Sequence, residues 1–214
     1  MFPACERCNS GSRKTDEIVA LLSLMDPNLP VFEGQERTLW EKRIQSANAK
    51  HPGLFQEMLG FSATEKKTRA RTLGVERAPG ETFADLPFMR VTPSLDAMVR
   101  EFAAKVTKAL HFEHTGVIVP SGAFMKLSWW TNATAMEGSL PEALFQMPFN
   151  GASTKRGSVD LSDQFTYRWL VTEDGASGAF ICTFRFAFGF AGVVAFPPSE
   201  LARAVEAGEV PTAG

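Results

Sequence analysis

Apolar residues recur at helical spacing in the first half of the chain and at alternate positions in the second. Ile18, Leu21, Leu22 and Met25 fall three and four apart, which predicts a helix over 15–26. Ser12 or Thr15 is placed to cap it, and Asp16 and Glu17 suit the positive end of its dipole. The Asp-Pro-Asn-Leu-Pro run at 26–30 ends it. Leu39, Trp40 and Ile44 predict a second helix over 35–49, stopped by His51-Pro52-Gly53. Short helices are predicted over 54–59 and 63–73. Residues 74–93 are punctuated by Gly and Pro without any period, so they read as a linker. The clearest stripe follows: Leu95, Met98, Val99, Phe102, Val106 and Leu110 share one face, with Arg100, Glu101, Lys105 and Lys108 off it. That predicts an amphipathic helix over 94–110, ending near His111–Gly116.

Beyond Gly116 the period becomes two. Val117–Val119 and Phe124–Trp130 read as strands. Residues 132–150 read as a loop with a short helix over 141–145. Phe165, Tyr167, Trp169 and Val171 alternate with smaller or polar residues, and a turn is expected at 174–178. Phe180, Cys182, Phe184, Phe186, Phe188 and Phe190 then alternate without a break, so the two runs form a hairpin whose apolar face needs a cover. The 94–110 helix is the expected cover. Val193–Phe196 adds a last strand, and Pro197-Pro198-Ser199 opens a C-terminal helix. Gly189 and Gly192 are expected to mark a bend or bulge. The fold class expected is α+β: a helical segment 1–73, the linker 74–93, and a domain over 94–214 in which an amphipathic helix packs on an antiparallel β-sheet.

At 214 residues, 44% of them apolar, the chain can bury a real core. A net charge of −2 excludes a globally basic nucleic-acid binder. No apolar run is long enough to span a bilayer, and the opening residues lack a signal peptide's apolar region, so a cytoplasmic location and no membrane partner are expected. Three cysteines, an odd number, fit a reducing compartment rather than a disulfide framework. No phosphate-cradling Gly loop, nucleophile elbow or His-Glu-x-x-His is present.

Chemistry concentrates at the start. Cys5 and Cys8 have the spacing with which a tight turn offers two thiolates to zinc, which then needs two further ligands. Cys182, His51, His111 and His114 are the candidates within the chain, though Cys182 sits in the alternating aromatic run as a core residue would. Two copies pairing their Cys-x-x-Cys turns in a homodimer would also supply four thiolates. Otherwise Cys5 and Cys8 are free thiols.

The stretch Phe-Pro-Ala-Cys5-x-x-Cys8-Asn9-x-Gly-x-x-Lys14-x-Asp16-Glu17 resembles the distal half of the motif of zinc-knuckle HNH endonucleases. The resemblance covers roughly the first thirty residues. Beyond them the chain is loosely similar to the uncharacterised regions that follow such motifs in bacterial and phage HNH proteins. In the family an upstream Cys-x-x-Cys completes the knuckle, and a His-bearing hairpin supplies the general base and a metal ligand. Here the motif begins at its second half. The resemblance therefore implies that Cys5 and Cys8 match the distal knuckle. Asn9 matches the position that contacts the catalytic metal. Phosphodiester hydrolysis needs a base and a divalent ion, and Asn9 supplies neither alone.

Two other features could bind a partner. Lys42, Arg43, Lys50, Lys66, Lys67, Arg69 and Arg71 face only Glu57 and Glu65 over residues 42–71, an excess that could follow a phosphate backbone or coat a solvated helix. Trp129 and Trp130 are neighbours on a predicted strand, so their rings point to opposite faces. One is expected in the core and the other exposed, available to a protein or a base.

Three functions are then open. One is a catalytically incomplete HNH-derived binding protein of phage or mobile-element origin, acting on a protein or nucleoprotein complex, for example as an anti-CRISPR-like inhibitor of a bacterial defence complex. Another is a metal-dependent HNH nuclease completed by another chain or by a missing N-terminus. The third is a nucleic-acid-binding module using the 42–71 segment.

Overall fold

The computed structural model describes residues 13–24, 34–77, 79–86, 88–131, 148, 150–152, 155–156, 159–160, 164–185, 188–197 and 199. It is α+β, with helices and a five-stranded antiparallel sheet. The helices are α1 (Arg13–Leu22), α2 (Gly34–Lys50), α3 (Leu54–Leu59), α4 (Ala63–Leu73) and α5 (Pro93–Thr115). The strands are β1 (Phe124–Thr131), β2 (Asn150–Ala152), β3 (Lys155–Arg156), β4 (Val159–Asp160), β5 (Phe165–Val171), β6 (Ser177–Phe184) and β7 (Phe188–Ala195). The large sheet runs β1-β7-β6-β5-β2, and β3 pairs with β4 separately.

Helix α1 ends at Leu22, short of the predicted 26; Met25 lies outside the described residues. It buries Ile18, Val19, Leu21 and Leu22. Polar side chains tie it to its neighbours: Thr15 donates to Glu101 at 3.1 Å, Lys105 meets Asp16 at 2.8 Å, and Lys50 meets Glu17 at 2.6 Å. Ile18 and Leu21 share one hydrophobic cluster with Leu95, Val99, Phe180 and Phe190.

Helix α5 begins at a Thr92 cap, whose hydroxyl accepts the Leu95 N–H at 3.1 Å, with Pro93 in the first turn. It continues to Thr115, within the expected end region, and stops at Gly116 in the left-handed conformation (φ 71°). Its fully buried line is Leu95, Val99, Ala103, Thr107, Leu110 and His111. The bulkier Met98, Phe102 and Val106 of the sequence stripe flank that line and stay half-buried. Small side chains at 103 and 107 let the helix settle close to the sheet. Gly192 shows how close: a Cβ there would stand 2.0 Å from the Thr107 hydroxyl.

Strand alternation does what the sequence implied, with three corrections. First, the uninterrupted run from Phe180 to Phe190 is two strands. Arg185, at φ 49°, turns the chain, and Phe184 pairs with Phe188. Second, Gly189 and Gly192 sit in regular register within β7 rather than at a bulge. A Cβ on Gly189 would meet the Trp130 ring and the Cys182 carbonyl at 2.7 Å, so close approach is what requires glycine there. Third, Val117–Val119 is no strand. The Val117 N–H donates to the Thr115 hydroxyl at 3.1 Å, and its carbonyl faces His111 Nδ1 at 3.4 Å, so the end of α5 engages the groups a ladder would need.

On the face toward α5 lie Phe180, Cys182, Phe184, Phe188, Phe190 and Val194, flanked by Phe165, Tyr167 and Trp169. Phe102 of α5 meets Phe184 and Phe190 edge-on. Burying Phe180 or Phe190 contributes roughly 2–3 kcal/mol each. The opposite face carries a smaller cluster of Trp130, Ile181 and Ala191.

The 74–93 segment contains neither helix nor strand among its described residues until α5 opens. It is nonetheless fixed. Lys66 Nζ donates to the Ala84 carbonyl at 2.6 Å, Arg90 N to the Met58 carbonyl at 2.7 Å, and Phe83 lies under Arg77 at 4.4 Å. Leu86 is buried.

Candidate functional site

Helix α4 buries little of its surface and carries several exposed polar and basic side chains. Its ends are fully capped. Ser62 and Glu65 form a reciprocal capping box, and Gly74 closes the C-terminus at φ 64°. Between the caps only Ala70 is buried. At about 100° per residue, Thr64, Thr68 and Thr72 lie on the side away from Ala70. All three are exposed. The Thr68 and Thr72 hydroxyls donate to the carbonyls one turn back, at 3.0 and 3.1 Å, so their methyl groups are what the helix offers to a partner. Lys67 and Arg71 flank this stripe on one side, and Glu65 and Arg69 on the other. Together with Phe61 the threonines line a shallow groove of about 290 Å³.

Leu59 and Val91, chain neighbours of the residues joined by the Arg90–Met58 backbone bond, are 53% and 49% exposed. Arg90 stacks over Phe61 at 4.7 Å and pairs with Glu65 at 2.9 Å. The Glu65 carboxyl is held below its usual range, chiefly by the Ser62 backbone N–H and hydroxyl, then by Arg90. A wholly solvated helix face favours Glu, Lys, Gln or Ala; three threonines there cost roughly half a kcal/mol each in helix propensity. Leu59, Thr64, Thr68, Thr72 and Val91 were not among the sequence candidates. The i, i+4, i+8 spacing of the threonines, opposite Ala70, was the available signal.

The predicted basic residues do not form one stripe. Lys42 and Arg43 are exposed on α2, which packs on α1, whereas Lys66, Lys67, Arg69 and Arg71 belong to α4. Within α4, Lys66 is folded back onto Ala84 and Lys67 leans toward the Phe83 ring at 5.9 Å.

The two rings point to opposite faces as expected, with Trp130 the buried one and Trp129 half-buried rather than fully exposed. Trp130 is 8% exposed beside Ile181 and Ala191. Trp129 is half-buried against the helix side, donating its indole N–H to Asp96 at 2.7 Å. Asp96 also accepts from Arg100, and these two bonds, Arg100's first, hold its carboxyl below the usual range.

Cys5, Cys8 and Asn9 lie outside the described residues. Cys182 is fully buried and its thiol is pushed far up by burial, as a core residue. His111 is fully buried, packed edge-on against Phe180 and Phe196, and burial pushes it toward the neutral form. His114 stacks on Trp169 at 4.0 Å and shares a hydrogen bond with the Tyr167 hydroxyl at 3.2 Å; burial lowers its pKa too. His51 is half-buried behind α2. Among the described residues no three His, Cys, Asp or Glu side chains come together as a metal site. No described helix is long and apolar enough to cross a membrane.

No protein-family model matches the chain, and neither a curated protein nor a solved structure matches it.

Proposed function

We propose that this chain acts by binding: a catalytically incomplete HNH-derived protein that engages a protein or nucleoprotein target, as an anti-CRISPR-like inhibitor of a bacterial defence complex would. The observation that carries this is the outward face of α4, a capped helix that buries one residue and presents three exposed threonines, flanked by Lys67, Arg69 and Arg71, along a shallow groove shared with Phe61. Exposed apolar side chains next to fixed charge are characteristic of interaction surfaces. The histidines add support, since the His111 and His114 rings are engaged by packing against Phe196 and Trp169.

The test is direct. The purified protein is incubated with Mg²⁺, Mn²⁺ or Ni²⁺ and plasmid or single-stranded DNA. No cleavage is expected; metal-dependent cleavage that disappears in Asn9→Ala overturns the proposal. Exposed Lys42, Arg43, Lys67, Arg69 and Arg71 favour a nucleic-acid module as the second reading. A gel-shift series across salt decides it, because the electrostatic contribution is strongest at low salt and absence of binding there removes it.

A further inference from the structure

We infer that the α4 face is a docking seam for an amphipathic α-helix with acidic flanks, presented by a partner protein. This deepens the binding proposal and rests on it. Thr64, Thr68 and Thr72 form a single i, i+4, i+8 row about 12 Å long. Such a row is the ridge that packs into the groove of a crossing helix, and its short side chains allow approach at the near end of the usual interaxial range. Leu59 and Val91 are further exposed apolar side chains, and the Arg90–Met58 backbone bond joins their chain neighbours.

Charge decides the occupant. Lys67 and Arg71 stand on one flank and Arg69 on the other, while the acid of this face, Glu65, is already held by Ser62 and Arg90. A partner helix carrying Glu or Asp beside its apolar seam meets Lys67 and Arg71. A second copy of this face would set like charges against like. A phosphate backbone would satisfy the cations but leave the threonine methyls, Leu59 and Val91 against charge.

The test uses the full chain and three fluorescein-labelled synthetic amphipathic peptides with one leucine seam and flanks of Glu, Gln or Lys. Anisotropy titration should show the Glu-flanked peptide binding about tenfold tighter than the Gln-flanked one, with weaker binding as salt rises. Reversing the flanks by Lys67→Glu, Arg69→Glu and Arg71→Glu together should switch the preference to the Lys-flanked peptide. Leu59→Ser with Val91→Ser should weaken both severalfold. All these positions are exposed, and circular dichroism checks that each variant keeps its helices. Equal binding of the Glu- and Lys-flanked peptides, or binding of neither, overturns the inference. So does a labelled DNA duplex that binds this face and loses nothing on Leu59→Ser. The cleavage assay, run on the same preparations, separates the two proposals. Cleavage removes the non-catalytic function and leaves the peptide result standing; failed peptide binding without cleavage removes only the seam.

Discussion

Replacing Gly192 with alanine probes the contact that seats α5 on the sheet. The added Cβ would lie 2.0 Å from Thr107 Oγ1, 2.8 Å from Thr107 Cγ2 and 3.0 Å from Thr107 Cβ. None of these atoms ends a long flexible side chain; Thr107 is fully buried in the middle of α5. Relief therefore requires the helix to lift or the strand to bend. Overpacking of this kind costs about 1–3 kcal/mol, and contact with three atoms places the cost near the top of that range. Gly192 is not at positive φ, so alanine also stiffens the unfolded chain and returns roughly 0.4–1 kcal/mol. The net expectation is a loss of about 2 kcal/mol, or a fall of roughly 4–8 °C in Tm for a chain of this size. Thr107→Ala removes the two nearest atoms and leaves the 3.0 Å Cβ contact, so it should rescue Gly192→Ala in part. The two changes should couple by about 1–2 kcal/mol in a double-mutant cycle.

The assay is urea unfolding followed by tryptophan fluorescence, since Trp129 and Trp130 lie on β1, the strand paired with β7. Thr107→Ala alone is the control: its hydroxyl is buried without a hydrogen-bond partner, so removing it forfeits little beyond a methyl group. Gly192→Ala within 0.5 kcal/mol of the parent, or strict additivity of the pair, would refute the close seating of α5 on β7.

Two further outcomes follow from buried titratable groups. Burial lowers the pKa of His111 beneath its ordinary 6.5, so the unfolded chain takes up the proton more readily. Stability should therefore be full above about pH 6.5 and fall below it, by up to about 1.4 kcal/mol per pH unit from this residue. Urea midpoints from pH 7.5 to 5 should show the fall, and His111→Gln should flatten it; an unchanged slope in the variant counts against the assignment. Asp96 and Glu17, both held below their ordinary 3.8 and 4.5, act only in a lower window, losing their contribution as pH falls beneath those values. Cys182, buried and with its thiol pushed up, should resist iodoacetamide at pH 8 in the folded protein and react in urea. Peptide mapping reads this, and labelling of Cys182 in the native protein would contradict its core position.

What the sequence revealed and what it hid follow from which interactions have a period. Leu95, Val99 and Leu110 recur because one side of α5 is buried along its length, so helix and direction were legible. The β6–β7 turn was not. A three-residue connection from Phe184 to Phe188 preserves the even–odd phase, so the phenylalanines alternate straight through a reversal of the chain. Gly189 and Gly192 read as breaks because their cause, the Trp130 ring and the Thr107 side chain, lies on distant parts of the chain. The α4 face was hidden for a related reason. Periodicity detects apolar residues facing the protein's own core, and threonine counts as polar in such a pattern. A surface that awaits another molecule has its partner in another sequence. Its trace in this one is indirect: three helix-disfavoured threonines in register, opposite the single buried Ala70, on a helix capped at both ends yet packed against little. The basic count over 42–71 carried no arrangement, because the fold divides those residues between α2 and α4.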